Sequence, residues 1–267
     1  MSAPPLLVTA ADGARASIYS LGAQVASWVP AGDSEQFFTA THAPVGEKAF
    51  KGGVPVCFPQ FAGGPLPQHG FARDTEWTPA GQGEGWAAMR LTEAGPMSGR
   101  WPHPFVLELR VEVGGPRIEI SLSVENPGAR AWYFTGALHT YLQVDDIARV
   151  SVDGLGGRSY LDKTRGGREM VQRDAALRLT EETDRVYLGA PSPVTLRDGS
   201  RAVEITATGF PDVVTWNPWS GAEARWPQFG ADDYRRMICV EAAVVGTPVS
   251  LERGQRWSGS QALRVLP

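Results

Sequence analysis

The chain reads as all-β, a large antiparallel β-sandwich. Three observations predict this: apolar residues alternate at period two, turn formers punctuate nearly every stretch, and no long segment carries apolar residues at helical spacing. The turn formers include 31 glycines and 21 prolines in 267 residues. Many short strands joined by frequent turns favour a sandwich. No charge block, composition shift or internal repeat divides the chain, so residues 1–267 are expected to form one domain.

In chain order, the first hairpin is expected where Leu6 to Thr9 and Ala16 to Tyr19 flank Asp12-Gly13. Phe105, Leu107, Leu109, Val111 and Val113 alternate with Val106, Glu108, Arg110 and Glu112, giving one apolar and one largely polar face. Gly114-Gly115-Pro116 turns the chain into a second alternating run, Ile118 to Glu125. Asp198-Gly199 marks a further hairpin between Val194-Thr195-Leu196 and Ala202-Val203-Glu204-Ile205.

Composition bounds the partners. A formal charge of −4 argues against nucleic acid or an anionic membrane, both of which call for a basic surface. Two cysteines, Cys57 and Cys239, sit in apolar stretches, which suits buried thiols in a reducing compartment rather than a disulfide framework. The apolar run after Met1-Ser2-Ala3-Pro4-Pro5 is short and lacks a basic leader, unlike a signal peptide, so a cytoplasmic location is expected.

Three stretches carry candidate chemistry. Lys51 to Phe61 and Gln68 to Arg73 combine glycines, which allow close backbone approach, with the polar groups of Gln68, His69 and Arg73. In Ala137 to Val144, strand alternation puts His139, Tyr141 and Gln143 on one face and Leu138, Thr140, Leu142 and Val144 on the other. Glu241 interrupts the apolar run Met237 to Ala243, and a carboxylate there must be paired, hydrogen-bonded or neutral. A lone strand histidine or glutamate is more often structural. Together with the Gln68 to Arg73 segment, these residues supply an acid, a base and a cation.

Lys51 to Phe61, Gln68 to Arg73, Ala137 to Tyr141, Thr183 to Tyr187, Trp216-Asn217-Pro218-Trp219 and Val240 to Ala243 occur in order and resemble the signatures of the hexose-6-phosphate mutarotases of the aldose-epimerase superfamily. The resemblance implies a β-sandwich similar to that of galactose mutarotase. It also implies interconversion of the α and β anomers of a hexose 6-phosphate, most directly glucose 6-phosphate, by ring opening and reclosure without a cofactor. By position, Glu241 is implied as the general base and His139 as the general acid, with a nearby carboxylate helping to keep the imidazole protonated. Substrate contacts are implied for Lys51, Gln68, Arg73 and Asp184, and His69 is expected in the same cleft. Lys51 stands where the family usually has arginine, exchanging a planar fork for a single ammonium.

Other readings remain open from the residues. An epimerase of unphosphorylated sugars would need the acid and base but not the cations at Lys51 and Arg73, and a non-catalytic carbohydrate-binding protein could keep the cleft. A metal site of His69, His139 and Glu241 is disfavoured, because no close-spaced ligand motif occurs and the implied proton chemistry needs no metal. Trp216 and Trp219 could face a sugar or fill the core. His42 and His103 are expected to be structural or solvent-exposed. The expected partner is a small sugar phosphate, and the expected state is a monomer.

Overall fold

A computed structural model describes residues 4–267 apart from 94, 98 and 191. The reading of the N-terminus begins on residues 1–3, which lie outside the described residues.

The alternating runs form the strands Val106–Gly114 and Arg117–Glu125, turned at Gly115, whose φ of +53° is one that glycine adopts without strain. Leu107, Leu109, Val111, Ile118, Ile120, Leu122 and Val124 are buried, as the period-two pattern requires. This hairpin sits within an antiparallel nine-stranded sheet that also holds Val194–Asp198, Arg201–Thr208 and the long strand Arg256–Leu266. The Asp12-Gly13 and Asp198-Gly199 turns both form, with strand boundaries within three residues of expectation.

An eight-stranded antiparallel sheet packs against this one. At its centre Met237–Leu251 lies between Asp212–Asn217 and Trp132–Leu138, and Thr183–Tyr187 is next beyond Asp212–Asn217. A three-stranded sheet, Leu6–Thr9, Arg15–Ile18 and Val25–Val29, joins the same core. Among the described residues the only α-helix is the single turn Ala222–Arg225, in keeping with the weak helical signals.

One side of the eight-stranded sheet faces the main core through Leu138, Leu142, Ile238, Val240, Ala242 and Val244. The intervening residues Met237, Cys239, Glu241 and Ala243 therefore point away from the core, toward the outer face. Met237 and Cys239 pack there with Tyr141 and Trp216, and Ala243 packs with Phe61 and Val214. Glu241 lies between these two small apolar clusters, and the loops that cover them make its burial possible.

Candidate active site

Strand register brings the acid and base candidates together. Leu138 lies opposite Ala242 and Tyr141 opposite Cys239, with no slip between, so His139 falls opposite Glu241. The regular ladder lapses at His139 and Thr140, where the His139 amide donates instead to the Pro55 carbonyl at 3.0 Å. The expected alternation survives this break, because Leu138 and Leu142 face the core while Tyr141 joins the outer cluster.

The pairing extends across the sheet as two rows. Val186, Val214 and Glu241 are successive partners, with His139 next; Asp184, Trp216, Cys239 and Tyr141 form the adjacent row. Residues from four strands thus make one floor. His139 Nε2 stands 3.5 Å from Glu241 Oε1, and the imidazole stacks on Tyr141 with ring centroids 4.8 Å apart.

Behind this floor, the Thr140 hydroxyl donates to Gln261 Oε1, and Gln261 Nε2 donates to the Val240 carbonyl at 3.0 Å. Gln261 belongs to the strand Arg256–Leu266, so a buried polar link joins the two large sheets directly beneath His139 and Glu241.

The walls come from the loop segments. Gly53 and Gly70 take φ of +54° and +76°, and a Cβ at either would stand 2.1 Å from a backbone oxygen of Val25 or Phe58. His69 itself has φ +66°, an uncommon conformation for a residue with a side chain, and its amide donates to Ala62 O at 2.8 Å. The Ala62 amide donates to His69 Nδ1 at 3.2 Å, which places the proton of a neutral ring on Nε2. Burial, with the charges of Arg73, Lys51 and Lys163, pushes the His69 pKa down to about 3, so the ring is a neutral donor.

The resulting hollow, about 240 Å³, is lined by Lys51, Gln68, His69, His139, Asp184 and Glu241 together with Lys163, Trp216 and Trp226. Arg73 lines an adjoining hollow of about 220 Å³, which shares Lys51, Gln68, His69 and Trp226 with the first. Six of the seven expected residues therefore meet in one cavity, and the seventh stands in its neighbour. Arg73 donates to the Gln68 carbonyl at 2.8 Å and lies 3.7 Å from Asp74. A larger hollow of about 440 Å³ lies elsewhere, against Trp101, His103, Trp132 and Tyr133; no Asp or Glu lines it, so it lacks the carboxylate that acid–base chemistry here would use.

The electrostatics correct one expectation. Burial, followed by the charges of His69, Lys51 and Arg73, holds the His139 pKa well below its ordinary value. Burial, followed by the Asp184 carboxylate, holds that of Glu241 well above the usual range, opposed by Lys163 and Lys51. Burial thus works against charge on both partners, opposing the expectation that a nearby carboxylate keeps the imidazole protonated. His139 Nδ1 and Glu241 Oε2 are buried without partners. Lys51, largely desolvated and repelled by Arg73, is lowered to about 8.

Trp216 turns one side to the hollow, whereas Trp219 packs against the main core and Tyr234. His42 is exposed, and His103 is partly buried 4.7 Å from the Trp101 ring, in keeping with their structural reading. Sequence reasoning missed Lys163, on a short turn capped by Asp162, and Trp226, at the end of the helical turn Ala222–Arg225. Only the Asp162 cap signal was legible in advance.

The sequence matches the family described as Aldose 1-epimerase over residues 5–264. A Cenchrus ciliaris protein, provisionally named glucose-6-phosphate 1-epimerase, is 36% identical over 94% of this chain and 82% of its own. A crystal structure from Salmonella typhimurium, provisionally described as a mutarotase, superposes with a TM-score of 0.86 at 30% identity, covering 94% of this chain and 87% of that one. A galactose mutarotase-like protein from Lactobacillus casei shares the fold at 15% identity, with a TM-score of 0.79 over 98% of this chain and 100% of its own.

Proposed function

The chain belongs to the aldose 1-epimerase family, and from that premise we propose that it interconverts the α and β anomers of a hexose 6-phosphate, glucose 6-phosphate first among them. One observation carries the reading: a histidine and a glutamate face each other at 3.5 Å on the floor of a sugar-sized hollow, each with an unpartnered polar atom.

Glu241 takes the proton of the anomeric hydroxyl while His139 protonates the ring oxygen; the C1–O5 bond breaks, the aldehyde end rotates, and closure on the other face reverses both transfers. The pair begins this step as carboxylate and imidazolium and ends it as carboxylic acid and neutral imidazole. Burial favours the second arrangement, which stabilises the open-chain stage relative to the ring-closed one. Both transfers are made by side chains, and no cofactor is required.

The phosphate is assigned to the hollow between Lys51 and Arg73, where no Asp or Glu but Asp74 lines the wall, and Asp184 to the sugar hydroxyls on the other side. Gln68 and His69 line both hollows and would bridge ring and phosphate. Contributions from Lys51 to Glu241 support residues 1–267 acting as one domain, and a site complete within one chain supports a working monomer. Two buried free thiols support a cytoplasmic setting. Among the described residues no helix is long and apolar enough to cross a membrane.

The direct test is anomer exchange on pure α-glucose 6-phosphate and on pure α-glucose, followed by saturation-transfer NMR. Acceleration of the phosphorylated sugar alone supports the proposal. Equal acceleration of both transfers the assignment to unphosphorylated sugars, and acceleration of neither favours a binding protein.

A further inference from the structure

We propose that His139, Cys239 and Glu241 form a three-donor site for a thiophilic divalent cation of the zinc class, and that loading it stops the proton chemistry. Cys239 has no part in the epimerase reading. It sits on the same outward face of the strand as Glu241, in the row adjoining the His139–Glu241 pair.

The donor atoms of the three side chains all lie within 4.8 Å of one another. Nε2 of His139 and Oε1 of Glu241 are 3.5 Å apart, close to the roughly 3.4 Å expected of two ligands on one tetrahedral zinc. The other polar atoms of these two side chains, His139 Nδ1 and Glu241 Oε2, lack partners, so neither side chain, 8% and 1% exposed, is tied elsewhere by a hydrogen bond. Imidazole, thiolate and carboxylate complete a three-ligand zinc set, and the hollow above offers the fourth position. The third donor is thus Cys239 rather than His69, whose Nδ1 accepts from the Ala62 amide.

Selectivity follows from the neighbours. Lys51 and Arg73 oppose any cation held by charge alone, so magnesium and calcium, which take oxygen ligands, are excluded. A metal that bonds strongly to sulfur overcomes that repulsion. It replaces the Cys239 thiol proton and the one proton held by the histidine–glutamate pair, both of which leave to solvent. With both groups coordinated, neither can exchange a proton with a sugar.

The test is a cobalt(II) titration of the purified protein, followed by the thiolate-to-cobalt charge-transfer band. It needs no substrate, so it succeeds or fails independently of the reaction assigned above. The wild type should show the band and Cys239→Ala should not; Cys239→Ser replaces it if the alanine variant fails to fold. Zinc should displace cobalt and suppress anomer exchange reversibly to chelator, while magnesium does neither. Measured against its own zinc-free rate, Cys239→Ala should require at least about tenfold more zinc for inhibition, since losing even an outer-shell partner costs about 10–100-fold. No band in the wild type, a band that survives Cys239→Ala through Cys57, or equal zinc sensitivity of the two proteins would overturn the proposal.

Discussion

The Lys51 ammonium lies 5.1 Å from the centroid of the Trp226 ring and 5.4 Å from that of Trp216, and no carboxylate lies within ion-pair distance of it among the described residues. Aromatic faces stabilise the cation without neutralising it, which leaves its charge available to an anion.

That placement makes phosphate binding pH-dependent. The free Lys51 ammonium loses its proton near pH 8, and only the ammonium attracts the dianion. Above pH 8 binding must take up a proton, so affinity for the phosphorylated sugar should fall toward a limit of about tenfold per pH unit. Lys51→Arg should flatten this slope, because a guanidinium stays charged. Calorimetric titration between pH 7 and 10 checks it; equal slopes in both proteins would remove Lys51 from the phosphate site.

Glu241→Gln keeps the side chain's shape and removes the base. Anomer exchange should fall by about 10²–10⁴-fold. Burial raises the folded-state pKa of Glu241, so the wild type loses stability as pH rises from the ordinary carboxylate range toward that raised value. The glutamine variant escapes this penalty. Its denaturation midpoint should match or exceed that of the wild type at pH 7, and the difference should vanish near pH 4.

Asp184 and Lys163 should move the pH–rate profile in opposite directions. The Asp184 carboxylate raises the Glu241 pKa and the Lys163 ammonium lowers it. Asp184→Asn should shift the limb of the bell that Glu241 sets to lower pH, and Lys163→Met should shift it to higher pH. Profiles of kcat/KM across the range decide this, whatever each variant loses in sugar contacts.

Arg73→Ala removes a cation from the second hollow and a donor from the Gln68 carbonyl. Affinity for glucose 6-phosphate should weaken by about 1.5–3 kcal/mol, with a smaller change for glucose. Equal losses for both sugars would place the phosphate elsewhere.

Gly70→Ala should be destabilising, because its Cβ would meet Phe58 O at 2.1 Å and φ is +76°. Left-handed strain alone costs about 1–3 kcal/mol, and the clash adds to it. A lowered denaturation midpoint, with weakened substrate binding through the displaced His69, is the expected outcome.

Alternation made the sandwich legible, since residues such as Leu107 to Val113 and Ile118 to Val124 declare their buried face directly. It also placed His139 with Tyr141 on a common face. It could not reveal that this stretch and the strand of Glu241 are neighbours in matching register, because pairing depends on long-range packing. Nor could it show that the covering loops bury Glu241 and oppose the expected charge balance. Lys163 and Trp226 lie on single turns with no periodic signal, so only the folded loops disclose them.

Gln261 ties the end of the polypeptide to chemistry carried out on a different sheet. Shortening the final strand, or replacing this amide by a hydrocarbon side chain, would free Thr140 and the Val240 carbonyl and let the proton-exchanging partners drift apart. A lesion at the chain's far end, touching no sugar, would then look in kinetics like damage to the catalyst itself.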